Sequence, residues 1–528
     1  MTRIRLVLSA TLVAVHAVAA HAQQQHAHPQ GASPEKLGTV HFPTSCSPAV
    51  APQFDRAVAL LHSFEFGASI RAFGDVLKQD STCAMAYWGI ALSRWTNPFS
   101  NVSRSAAQLK PGSEAFVAAM RLSDRVTDRE RGFIVAVGQL YANADQVDQR
   151  SRVVAYERAM AELTANQPAD TEAKIFYALS LAASASPTDK TYANQLKAGG
   201  ILEPMWASQP NHPGLAHYII HSYDYPPLAG RAAAAAARYA TIAPSAAHAL
   251  HMPSHTFTRV GQWQESVNSN LRSIEVASRD AAIGEALHAS DYAMYAYLQM
   301  RRDSAAKRVL DGLPALAAKF DVNAITGAAP GAAGVFALAA IPARWVLERR
   351  AWSEAAVLEP KASAFPQSEA MTYFARALGA AHTGDLAKTQ ASLDSLAAIR
   401  DRLSAKGEAY WTEQVDIQRL GAQAWLDLAQ NNEAAALTRI REAATREDAT
   451  EKSAVTPGPL APARELLGDM LMQVNRPAEA LAEYRVTLQK EPNRYRALDG
   501  AVRAAKASGD RSAEAQFEAQ LRRLTGRE

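Results

Sequence analysis

Two prolines, Pro210 and Pro244, stand 34 residues apart, and between them six consecutive alanines run from Ala232 to Ala237. Thirty-four residues is the length of two short helices and their turns, and one such unit cannot bury its apolar side alone. A chain written at this period must stack its units on one another. The rest of the sequence agrees. Alanine is abundant, apolar residues recur at intervals of three and four, and β-strand alternation is scarce.

Near the C-terminus a unit runs from Ala461 to Pro492. Leu467, Gly468, Ala480, Tyr484 and Pro492 fall at its seventh, eighth, twentieth, twenty-fourth and thirty-second places. Small residues at these places let two helices cross closely, and the proline ends the second helix. Phe54 to Leu92 reads as helix, turn, helix, with further degenerate units over Ala370–Ala398 and Leu420–Ala444. The chain is expected to be all-α, a helix-turn-helix solenoid wound as a right-handed superhelix, with a concave inner surface.

The first residues read as an address. Arg3 and Arg5 precede the apolar run Leu6 to Ala20, and Ala20-His21-Ala22 is a small-x-small cleavage pattern. Residues 1–22 are therefore expected to be a signal peptide cut after Ala22, giving a periplasmic or secreted protein. The run is shorter than the ~20 residues of a typical span, and no further stretch reads as one. Residues 23–45 are expected to form a flexible lead-in. Losing Arg3 and Arg5 takes the formal charge from +3 to +1, which is no electrostatic footprint for nucleic acid. Residues 46–322 form the first predicted array, 323–334 a Gly/Ala/Pro-rich linker, and 335–528 the second array. Another loop is expected over 448–462.

Cys46 and Cys83 are the only cysteines. In an oxidising compartment such a pair is expected to be bridged. Closing a loop of that length stabilises by about 4 kcal/mol on the chain-entropy model.

The stretches CAMAYWGIAL, HALHMPSHTFTRVGQW and PARELLGDMLMQVNRPAEALAEY resemble a group of bacterial exported tetratricopeptide-repeat proteins, and HMPSH is similar to a segment of an animal tetratricopeptide family. The resemblance spans most of the chain after residue 22. It implies the fold and brings no activity with it.

Six of the fourteen histidines lie between His212 and His255, and His288 follows. His217 and His221 are four residues apart, as are His251 and His255, so each pair projects from one helix face. The second pair repeats the first 34 residues later, at the fifth and ninth places of consecutive first helices. In tetratricopeptide units those places line the concave groove. His248 falls at the second place and Asp224 at the twelfth. Imidazole at this spacing suits a transition metal, zinc or copper above others. His217, His221, His251 and His255 are the candidate ligands. His248, His288 and Asp224 are candidates for further ligands or for the shell behind them. The same pattern suits histidines inherited from one ancestral repeat, core histidines bonded to backbone, or a groove for an anionic ligand. Pro253, inside the second pair, should kink or start a helix.

There is no phosphate-binding glycine loop, nucleophile elbow or His-Glu-x-x-His pattern. Two functions follow: a scaffold whose concave groove takes a peptide, protein or small anionic ligand, or a metal-dependent hydrolase or oxidoreductase.

Overall fold

The computed structural model describes residues 35–100 and 102–526. The predicted signal peptide and most of the lead-in, residues 23–34, lie outside the described residues. The described residues hold 25 α-helices and no strand. Each helix packs on the next along the chain. Alternate helices also stack: Gly331–Glu348 on Pro366–His382, that helix on Ala409–Ala429, and Ala463–Gln473 on Tyr495–Ser508. The protein is an all-helical, tetratricopeptide-like helix-turn-helix solenoid.

A recurring turn builds the pairs. Gln262 N–H reaches Phe257 O, Ala282 reaches Ala277, Arg302 reaches Tyr297, Asn432 reaches Asp427 and Arg476 reaches Leu471. In each case the residue before the donor has positive φ: Gly261, Ala281, Arg301, Asn431 and Asn475. This is the Schellman closure, which satisfies orphan carbonyls and reverses the chain within a few residues. Small residues then set how closely the pair crosses. A Cβ on Gly468 would stand 2.8 Å from the Tyr484 ring, and one on Gly89 would stand 2.3 Å from Phe73.

The 34-residue spacing marks equivalent helix ends. The helix Ala193–Ser208 stops at Gln209 (φ −128°, ψ 64°), and the helix Ala233–Ile242 stops at Ala243 (φ −126°, ψ 59°). Pro210 and Pro244 follow these matched caps.

Residues 36–42 are not the free lead-in expected from composition. They form no helix, yet Leu37, Val40 and Phe42 are buried. Lys36 N–H donates to Ser245 Oγ at 2.8 Å, and Phe42 N–H to Asp55 Oδ1 at 2.8 Å. Phe42 sits among Phe54, Trp88 and Phe133, so three apolar side chains overcome the polar composition around them. Cys46 and Cys83 are joined in a disulfide.

The stretch expected as the linker 323–334 is packed structure. Gly331 already opens a helix. Thr326 O accepts from Gly67 N–H, Ala328 O from Asn97 Nδ2, and Ala329 N–H donates to Glu285 Oε2. A Cβ on Gly67 would meet Ile325 O at 2.3 Å, which is why this approach needs glycine. The described residues from 36 to 526 form one compact unit.

Against the expectation of no further apolar stretch of spanning length, the helix Gly331–Glu348 is long and apolar enough to cross a membrane. It is mostly buried instead, and its Arg344 is fully buried against Asp291, Nε to Oδ1 2.7 Å. A helix enclosed on nearly all sides reads as apolar whatever encloses it.

A candidate metal centre of six histidines

Four helices deliver the histidines. Pro213–Ser222 carries His217 and His221, Ala247–His251 carries His248 and His251, Pro253–Arg259 carries His255, and Ile283–Gln299 carries His288. Pro253 splits the second pair between two helical segments, because it has no N–H to continue the ladder.

The six rings form two sets. His217, His221 and His248 each offer a nitrogen within 4.8 Å of the others, and so do His251, His255 and His288. The sets touch: the His248 and His251 ring centroids are 5.8 Å apart, and those of His221 and His255 6.0 Å. The pairs legible at four-residue spacing therefore belong to different sets, each completed by a third ring. Asp224 stands behind His255 rather than beside the free nitrogens.

Four rings have Nδ1 committed. His217 Nδ1 lies 2.6 Å from His62 O, His248 Nδ1 2.9 Å from Glu285 Oε1, His251 Nδ1 2.7 Å from Asn270 Oδ1, and His255 Nδ1 2.8 Å from Asp224 Oδ2. All four partners are acceptors. Asn270 is oriented by its own amide, which donates to Ser266 O. Each ring thus carries its proton on Nδ1 and presents Nε2 as a lone pair. Nε2 of His217, His221 and His248, and Nδ1 of His288, are buried without a hydrogen-bond partner. Nε2 of His251 and His255 face each other at 3.0 Å.

Burial keeps these rings neutral. It pushes His217, His221, His248 and His288 well below the ordinary imidazole range, with repulsion from neighbouring rings adding to it, and takes His251 down to about 3. Burial lowers His255 too, although Asp224 opposes it. Asp224 has the reverse balance. Burial would raise it, but Lys452, Arg259 and His255 hold it well below the carboxylate range.

This sets a pH response in metal-free protein. An unfolded imidazole takes up a proton below about pH 6.5, while the folded ring stays neutral. The unfolded state then binds more protons, so stability falls as pH drops below 6.5, by about 2 kcal/mol per ring between pH 7 and 5. His221 stacks on Phe99 at 4.1 Å, and His221→Phe removes its titration while keeping a ring. Urea unfolding should show the variant gaining about 2 kcal/mol on the parent between pH 7 and 5. A pH-independent difference would contradict a neutral buried ring.

The histidines do not face an open groove. They expose 0–6% of their surface. The loop expected over 448–462 begins one residue later, since Asp448 still ends a helix. Residues 449–462 cross over the histidines: Tyr292 Oη donates to Thr456 O at 3.1 Å, and Lys452 Nζ lies 3.2 Å from Asp224 Oδ2. A cleft of about 40 Å³ beside His248 and His288 is walled by Asn97, Phe99, Ala329, Phe336, Trp411 and Val455. His212 lies elsewhere, sharing the Glu172 carboxylate with His62 at 3.0 and 2.9 Å. There every short contact is a donor–acceptor pair, and the His62 carbonyl anchors His217.

Asn270, Glu285 and the His62 carbonyl are not among the residues expected from sequence. Only Glu285 left a signal, three residues before His288 on one helix face.

No family model matches the sequence, and neither does any curated protein. Among solved structures, the chain is similar to a human IFIT1 dimer with m7Gppp-AAAA, at 10% identity and a TM-score of 0.37, over 84% of this chain and 90% of that one. It is similar to yeast Tom70 at 13% identity and a TM-score of 0.38, over 88% and 96%. It is also similar to Naa15/Naa10 bound to HypK-THB at 12% identity and a TM-score of 0.24, over 90% and 73%.

Proposed function

We propose that this protein is an exported metalloenzyme, an oxidoreductase whose two three-histidine sets each hold a copper ion. The observation that carries the reading is the 3.0 Å approach of His251 Nε2 to His255 Nε2 while both Nδ1 atoms are committed to acceptors. Two lone pairs repel at that distance unless a proton or a cation lies against both. Burial disfavours the proton. Two nitrogens sharing one ion with bonds of about 2.0 Å at near-tetrahedral angles lie about 3.3 Å apart. Anchoring of Nδ1 by Asp, Glu, Asn and backbone oxygens is the pattern that orients metal-bound imidazole.

Copper is favoured over zinc because both sets consist of neutral donors. Buried dications would bring charge that no ligand offsets, and a cuprous ion brings half as much. Such a pair, when bound, supplies one-electron and dioxygen chemistry. Burial of the histidines is also why a metal is preferred to a peptide in an open groove, though the coarser description as a ligand-binding repeat scaffold stands beside it.

Metal analysis of protein made without an affinity tag and reconstituted with copper or zinc tests this. About two copper ions per chain are expected, and His251→Ala should retain about one. Full retention in that variant, or no stoichiometric metal in the parent, would end the reading. Zinc at two per chain, with copper refused, would replace the oxidoreductase by a hydrolase.

A further inference from the structure

A cavity of about 430 Å³ lies beyond the histidines. It shares Phe336, Gln367 and Trp411 with the narrow cleft that His248 and His288 line. The volume falls in the range of small-molecule sites. Phe336, Met371, Tyr410, Trp411 and Leu460 give it a largely aromatic and apolar wall.

The charged groups on the wall are engaged with each other or with their surroundings. Lys190 pairs with Glu451, Arg464 and Lys490 pair with Asp448, and Arg259 and Lys452 pair with Asp224. Glu447 accepts from Ala463 N–H, and Glu491 lies 3.4 Å from Tyr295 Oη. Two of the wall's neutral polar atoms are buried without a partner. Trp411 is 8% exposed, yet its indole Nε1 has no hydrogen-bond partner, and neither does the buried amide Oε1 of Gln418. One is a donor and the other an acceptor. They stand seven residues apart on the helix Ala409–Ala429, so they share a face and are separated by about 10 Å along the axis.

We infer that this cavity is the substrate chamber of the histidine centre, and that it takes an uncharged two-ring aromatic molecule bearing a hydroxyl at each end. The inference rests on the metal-centre reading for the chemistry beside the chamber, while the binding itself needs no metal. An aromatic body fills the apolar wall. One hydroxyl oxygen accepts from Trp411 Nε1–H and the other hydroxyl donates to Gln418 Oε1, which satisfies both orphaned atoms. The walls carry no unpaired cation for an anionic molecule, so a dicarboxylate of the same shape pays desolvation without compensation.

The test is calorimetric titration of 2,6-dihydroxynaphthalene into metal-free and copper-reconstituted protein, with 2,6-naphthalenedicarboxylate as the comparison. Saturable one-to-one binding of the diol and none of the dicarboxylate is expected in both forms. Trp411→Phe and Gln418→Leu should each weaken diol binding by about 2- to 10-fold, the worth of one neutral hydrogen bond. Gln418 is only partly buried, so its variant keeps the test alive if Trp411→Phe melts early. Absence of saturable binding overturns the chamber, as does equal affinity for the dicarboxylate or unchanged affinity in both variants. Copper content of the same samples separates the two claims. Two coppers without diol binding retire the chamber alone, whereas diol binding without copper supports the chamber and retires the copper reading of the centre.

Discussion

Asp224→Asn is expected to lower copper affinity by about 10- to 100-fold and to cost the metal-free protein about 3–5 kcal/mol. Asp224 is 8% exposed and serves three partners. Its Oδ2 meets His255 Nδ1 at 2.8 Å and Lys452 Nζ at 3.2 Å, and its Oδ1 meets Arg259 Nε at 2.9 Å. The substitution keeps the shape and removes the charge. Arg259 and Lys452 are then left as buried neighbours of like sign, and burial already pushes Lys452 down to about 8 with Asp224 in place. His255 loses the anion that holds its proton on Nδ1, so its Nε2 is no longer a committed lone pair. Urea unfolding of metal-free protein and a competitive copper titration read the two effects separately. A stability loss with unchanged copper affinity would leave Asp224 as an ion-pair residue without a role at the centre.

How far the site could be read from sequence depends on which interactions leave a period. The matched helix ends at Gln209 and Ala243 were legible because one repeat length separates Pro210 from Pro244. The histidine pairs were legible because four residues return to one helix face. The partition into sets was not. It depends on how far adjacent helices are offset and on the break at Pro253, which put His248 with His217 and His221 while His251 turned toward His288. The crossing segment 449–462 left no pattern either. Part of its hold is through backbone oxygens, Thr456 O accepting from Tyr292 and Gly458 O from Arg344, which any sequence has to offer. Its ion pairs, Lys452 with Asp224 and Glu451 with Lys190, join residues more than 200 apart in the chain. Residues 325–329 likewise reach Gly67 and Asn97 through backbone oxygens. A Gly/Ala/Pro-rich stretch carries no apolar stripe, so composition reported a linker where the fold has a packed wall.

The other large effect lies where the C-terminal repeats meet the helix that carries His288. Arg494→Met is expected to cost about 3–5 kcal/mol. Arg494 is fully buried. Its Nε lies 2.5 Å from Glu465 Oε2, a terminal nitrogen 2.9 Å from Glu348 Oε1, and the other donates to Tyr295 Oη at 2.9 Å. One side chain thus ties together the helices Ile283–Gln299, Gly331–Glu348 and Ala463–Gln473. Methionine fills comparable space but strands the Glu348 anion and leaves the Glu465 anion to Arg496 alone, 3.1 Å from its Oε1. Much of the loss comes from those anions rather than from the worth of the pair itself. Replacing Glu348 and Glu465 by leucine in the Arg494→Met background should therefore recover most of the stability. Copper stoichiometry should stay at two in both proteins, because Asp291 still anchors the His288 helix to Arg344, Nε to Oδ1 2.7 Å. A triple variant no more stable than the single one would mean that the arginine acts by filling space. Loss of one copper on Arg494→Met alone would mean that the C-terminal repeats set the position of His288 directly.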